Sequence, residues 1–218
     1  MRMARLTAGP PFFDGASIGL RAISGKREMN ITTLAAPAAM PLGLAEAKEY
    51  LRIGYDGEDD LVSSLIAGAA ARVEQEAGLA LIARTLRVTL DQWPRGAVEL
   101  RTTRLPVRPA ASLAAVRVKG ADGTASTVTD RFALEAGRSA RLVWVNGAFP
   151  WPGARAGGIE IDYVAGFGTE PDDVADELRL AVKRLVAFGY HARDAETIAG
   201  KLPEDVAGLL APWRRVRL

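Results

Sequence analysis

Ile159-Glu160-Ile161-Asp162-Tyr163 alternates apolar and acidic side chains, Val164-Ala165-Gly166-Phe167-Gly168-Thr169 breaks that alternation, and beyond Pro171 the apolar spacing becomes helical. Alternation at every second residue is the mark of a strand with one buried face. Val174, Leu178, Ala181, Val182, Leu185 and Val186 instead recur at three and four, with Asp176, Glu177, Lys183 and Arg184 mostly off the stripe, as on an amphipathic helix. Pro171 suits the first turn of such a helix, and Asp172 and Asp173 favour the positive end of its dipole. Strand, glycine turn and helix in direct succession put both kinds of element in one chain.

Upstream, the strand period covers Leu86, Val88 and Leu90 and runs on to Trp93 before Pro94; Val98 and Leu100 continue it, followed by Leu113 to Val118 and Arg141 to Val145. Asp122-Gly123 between polar residues reads as a hairpin turn. These runs predict a mostly antiparallel β region over residues 85–165. Ahead of it, Leu44, Ala47 and Leu51 share one helical face, with Gly54 as the stop. The acidic run Asp56-Gly57-Glu58-Asp59-Asp60 opens a longer helix whose expected stripe is Leu61, Leu65, Ala69, Val73 and Ala77, closed by Gly78. Gly68, Ala69, Ala70 and Ala71 leave room for another backbone to come close. A short helix is expected from Glu204 to Leu210, between Pro203 and Pro212. The predicted fold is α+β, with N- and C-terminal helices packed as a small bundle around an inserted, mostly antiparallel β region. Residues 1–40 show no period and read as a flexible arm, with Met29 as an alternative start. Residues 41–212 form the body, and 213–218 a basic tail.

The composition limits the chemistry. In 218 residues, hydrophobic types make up 49% and charged types 25%, ordinary values for a globular chain with a full core. Lys and Arg number 28 against 26 Asp and Glu, a balance that does not favour a chain-wide nucleic-acid binder. There is no Cys and a single His, so disulfides, thiolate nucleophiles and zinc ribbons are out, and a catalytic triad is hard to build. No stretch approaches the roughly 20 apolar residues of a membrane span, and the uncharged run Ile31–Ala45 is broken by Pro37 and Pro41. The reading is an intracellular protein that is not an enzyme and needs no cofactor or metal.

Four features compete for function. Gly166-Phe167-Gly168 sits where a phosphate loop would, but it lacks a third glycine in register and a following Lys-Ser/Thr. It reads as a tight turn, with Thr169 helping to cap the helix. The run Asp56–Asp60 lacks the alternating ligands of a calcium loop and reads as a charged helix start. Glu160 and Asp162 share a strand face and, with His191, are the residues a small enzyme would use; a solvated face and a packing His explain them as well. The tail Trp213-Arg214-Arg215-Val216-Arg217-Leu218 offers charge and an apolar anchor, for a partner protein or for nucleic-acid phosphate, and makes a DNA-binding or regulatory module the alternative reading.

The order of these strings resembles one family. Leu44-Ala45-Glu46-Ala47-Lys48 with Leu51-Arg52, the helix Leu61-Val62-Ser63-Ser64-Leu65-Ile66-Ala67, then Tyr163-Val164-Ala165-Gly166-Phe167-Gly168, Tyr190-His191-Ala192-Arg193 and Leu209-Leu210-Ala211-Pro212-Trp213-Arg214 together resemble the phage head–tail connector (adaptor) proteins, which also occur in gene transfer agents. The likeness spans residues 42–215. It implies a virion neck protein forming a twelve-fold ring under a portal protein and joining it to a stopper or tail-completion protein. Double-stranded DNA would pass through the lumen without sequence specificity, and assembly would start in the host cytoplasm with no membrane involved. It further implies portal docking by Trp213, Arg214, Arg215, Val216, Arg217 and Leu218. Subunit packing would use Leu61, Leu65, Ala69, Val73, Leu178, Val182 and Leu185. Glu160, Asp162, Asp172 and Asp173 are candidates for an acidic lumen lining, and the large β region departs from the mostly helical members.

Overall fold

The structure, a computed structural model, describes residues 29–137, 139–192 and 201–214. The chain runs β1 (Met29–Ala35), α1 (Leu44–Leu51), α2 (Asp59–Ala77), β2 (Arg84–Leu90), β3 (Thr102–Arg104), β4 (Ala110–Lys119), β5 (Ala125–Thr127), β6 (Phe132–Glu135), β7 (Arg141–Trp144), β8 (Ile159–Ala165), α3 (Asp176–His191) and α4 (Glu204–Leu210). The fold is α+β. One antiparallel sheet has the order β1-β2-β8-β4-β5, and a second, smaller one the order β3-β7-β6.

The alternation in β8 puts Ile159, Ile161 and Tyr163 on a buried face, in register with Leu90, Val88 and Leu86 of β2. Val116 and Val118 of β4 join them, and Trp93, Leu105, Phe132 and Leu142 extend this core under the small sheet. The Tyr163 hydroxyl is fully buried; it donates to the Val107 carbonyl and accepts from the Val107 amide. A second core lies among the helices, where Val62, Ile66 and Val73 of α2 meet Leu178, Val182 and Val186 of α3 and Val206 and Leu210 of α4.

Several expectations shift by a residue or a segment. The buried stripe of α2 is Val62, Ile66, Ala69, Ala70, Val73 and Ala77. Leu61 is exposed and Leu65 half-buried, because the face pressed on α3 starts one residue later than the apolar spacing implied. Gly68 faces open space; the tight helix contact is at Gly189, where an added Cβ would stand 2.9 Å from Leu65 Cδ2. Met29–Ala35, expected within an unpatterned arm, pairs with β2 from Met29↔Leu90 onward. It is an edge strand with much of its surface exposed, so it lacks the alternation a half-buried strand displays. Residues 1–28, ahead of the alternative start Met29, lie outside the described residues. Val98 and Leu100 are in helical turns after Pro94, with the Leu100 amide donating to the Gly96 carbonyl, not in a strand. Arg52, left-handed at φ 59, ends α1 ahead of Gly54. Gly78 closes α2 at φ 64, as read, and the Gly123 turn joins β4 to β5.

Candidate functional site

The outer face of the large sheet carries a charge lattice. Residues paired across antiparallel strands share a face, so Arg87 of β2 stands beside Asp162 of β8, and Glu160 beside Arg117 of β4. Asp162 accepts two hydrogen bonds from Arg87, at 2.7 and 2.8 Å, and one from Arg117 at 2.7 Å. Glu160 pairs with Lys119 at 2.6 Å and more loosely with Arg87 at 3.7 Å. Asp162 is only 4% exposed because the two arginines lie over it. Its carboxyl is held below the usual carboxylate range: the Arg87 hydrogen bonds dominate, burial opposes them, and Arg117 adds to the lowering. Neither acid is a free carboxylate, and Asp162, held ionised by its arginines, is no proton donor. Of the other two lining candidates, Asp172 pairs with Arg179 at 2.9 Å. Asp173 accepts from the Glu170 amide in a reciprocal capping box, which replaces the cap expected from Thr169.

The Gly166-Phe167-Gly168 turn is structural. Its amides are engaged, Gly166 N–H with the Pro109 carbonyl and Phe167 N–H with Leu81, while the Gly168 carbonyl accepts from Ala83. At φ 136, a Cβ on Gly166 would lie 2.4 Å from the Ala83 backbone, so only glycine fits. The acidic run forms a helix start of ion pairs. Lys48 bridges Asp56 and Asp59 at 2.6 and 2.7 Å, and Glu58 accepts hydrogen bonds from Tyr55 and Tyr190. The Glu58 carboxylate beside it raises the Tyr190 phenol to about 12. His191 is exposed at the end of α3 beside the Tyr190 ring.

The expected docking tail divides in two. Trp213 packs edge-on against Phe167, and its carbonyl accepts from Arg108 at 2.7 Å; the same guanidinium nitrogen reaches the Ala77 carbonyl at 2.9 Å. Arg214 pairs with Glu76 at 3.2 Å. These two belong to the body, because the half-buried Trp213 packs against the helical core and Arg214 is paired with α2. Arg215, Val216, Arg217 and Leu218 lie outside the described residues. The expected packing residues divide as well. Ala69, Val73, Leu178 and Val182 are spent inside the chain, whereas Leu61, Leu65 and Leu185 keep outward surface.

The small sheet was not singled out from the sequence. There an aromatic chain runs Phe132, Trp93, Phe149 and then Trp144 and Trp151, with neighbouring rings 5.0–5.5 Å apart. The Arg101 guanidinium lies 4.6 Å over the Trp144 ring. Leu100 and Trp151 are 72% and 66% exposed. The signal was present: Trp144-Val145-Asn146-Gly147-Ala148-Phe149-Pro150-Trp151 gathers three rings in eight residues of a chain that is 6% aromatic. Among the described residues no cluster of metal-ligand type occurs, and no helix is long and apolar enough to cross a membrane.

No family model matches this chain, and no curated protein matches it. Solved particle structures do. The chain is similar to one in the virion of a native gene transfer agent particle, at 28% identity and TM-score 0.73. It is similar to one in the neck of an empty particle computed with C6 symmetry, at 30% and 0.72. A third is in the neck of a native particle computed with C12 symmetry, at 28% and 0.71. Each likeness covers 86% of this chain and 96% of the other.

Proposed function

We propose, from the premise that this chain belongs to the structural neck proteins of phage-like gene transfer agent particles, that it is their head–tail adaptor. In this reading it forms a twelve-fold ring under the portal protein, joins it to the stopper or tail-completion protein, and lets double-stranded DNA pass through the lumen. Its work is geometric and non-enzymatic. The observation that supports the reading is a likeness that runs over nearly the whole of a neck chain at 30% identity. The paired cations of the outer sheet face suit the role, since free cations near a passing duplex would each add phosphate affinity and slow transit.

The portal anchor is Arg215, Val216, Arg217 and Leu218, with Trp213 and Arg214 held on the body just before it. Deleting residues 215–218 leaves a folded protein that no longer co-purifies with the portal protein from particle-producing cells. Mass spectrometry of the eluate, with negative-stain images of the particles, reads the outcome. Wild-type recovery of portal protein by the truncated chain refutes the anchor, and the absence of the full chain from tailed particles refutes the adaptor.

A further inference from the structure

Charge is segregated along this nearly neutral chain. Residues 91–158, which contain the small sheet, carry ten Lys and Arg against five Asp and Glu; residues 29–90 and 159–192, which contain α1, α2 and α3, carry eight against fifteen. On the small sheet Arg104 and Arg141 stand directly opposite each other in the β3–β7 register, with Glu135 beyond Arg141. Like charges in that position destabilise a strand pair, and no ion pair forms at either arginine among the described residues. Arg104 is exposed on an edge strand, and Thr103 and Leu142, the next pair along the two strands, are buried. Past the other end of the same strand pair, Leu100 and Val145 present exposed apolar surface. Paired arginines beside apolar residues have the composition of a protein interface.

We propose that this β3–β7 face docks onto the acidic start of α3 of a second copy of the chain, around the exposed Asp176 and Glu177. Three observations select that occupant. The chain carries its own counter-surface, since Asp176 and Glu177 open α3 without an ion pair among the described residues. The two surfaces belong to different layers, the small sheet and the helices, and no ion pair joins them within one chain among the described residues. A contact between unlike patches repeats from copy to copy and closes into a ring when the rotation allows, and a similar chain sits in a neck computed with C12 symmetry. The inference deepens the ring of the adaptor reading by naming its lateral contact, but it is read from self-association alone.

The test is sedimentation velocity of the purified full chain at low and high salt. Wild type forms species larger than a dimer at low salt that dissociate at high salt. R104E/R141E and D176R/E177R each weaken association by roughly tenfold or more, with unchanged far-UV circular dichroism. Mixing the two variants restores it, because each supplies the face the other has reversed. Equal sedimentation of wild type and both variants, or a mixture no better than its parts, overturns the contact. Salt-sensitive retention of wild type on duplex DNA, lost in R104E/R141E while self-association persists, also overturns it and gives the face to nucleic acid. Self-association as expected by a chain missing from particles would sink the adaptor and leave this contact standing.

Discussion

Asp162 is the residue on which the large sheet depends most. It sits at the middle strand, 4% exposed, with two guanidinium groups bonded to it. Asp162→Asn keeps the shape but removes the charge between two arginines, and is expected to cost about 2–4 kcal/mol, toward the low end for a buried pair because the arginines are partly exposed. Urea unfolding at neutral pH measures it. The pH dependence follows from the lowered carboxyl. Stability from this group is fully present above the unfolded carboxyl value near 3.9 and is lost as pH falls through the lower folded one. Wild type should therefore lose urea resistance steeply below about pH 4, and Asp162→Asn less steeply. Parallel curves for the two proteins would show that Asp162 is not linked to acid unfolding.

Among the elements, the C-terminal segment shows how a loop and a helix end are tied. Trp213 covers Phe167 of the glycine turn, and its carbonyl is held by Arg108 together with the last carbonyl of α2. Truncation after Arg214 should leave the melting temperature unchanged, whereas truncation after Pro212 should destabilise by about 2–4 kcal/mol, as loss of a packed tryptophan does. Equal melting of the two truncations would mean that Trp213 does not stabilise the body. On α2 the distinction is finer. Ile66→Ala is expected to cost about 2–4 kcal/mol and Leu61→Ala under 1 kcal/mol in the isolated chain, a comparison that chemical denaturation resolves. From the sequence, β2, β4, β7, β8 and all four helices were legible, because periodicity reports a face that the chain itself buries. The edge strand β1 was not, since its exposed side chains leave no alternation. The α2 stripe was misplaced by one residue at its start, where Leu61-Val62 and Leu65-Ile66 offer two apolar residues in a row and only the position of α3 decides between them. Glu160 and Asp162 read as solvated because their partners, Arg87 and Arg117, are far away in sequence.

For the whole molecule, the two cores meet at the segment that follows α2. Leu79, Leu81 and Ile82 belong to the helical core and Ala80, between them, to the sheet core, while the glycine turn lies alongside through the Phe167 and Ala83 amides. The chain should therefore unfold as a unit: amides of α3 and β8 should exchange with one common opening free energy. Gly166→Ala, forced against the Ala83 backbone, should lower both together by about 3 kcal/mol or more. Separate exchange of the two sets in wild type would show that the cores open independently. The comparison with neck structures and the sequence agree at this scale on the kind of protein, and the aromatic cluster at the small sheet is where the sequence was silent. Of its aromatic residues, Trp93, Phe149 and Trp151 fall in loops between short strands, where no period marks them.

That aromatic chain has an optical consequence. Of the four tryptophans, Trp93, Trp144 and Trp151 lie within one run of touching rings and Trp213 alone sits against the helices. Trp93 is buried with its indole N–H held by the Pro150 carbonyl, while Trp151 is mostly open to solvent. The intrinsic emission of this protein is thus mainly a light signal from the small sheet. A shift toward the blue on adding any partner would report that Trp151 has been covered. With Trp213 replaced by Phe, that colour change belongs to the small sheet alone, and the protein carries its own dye for finding what sits there.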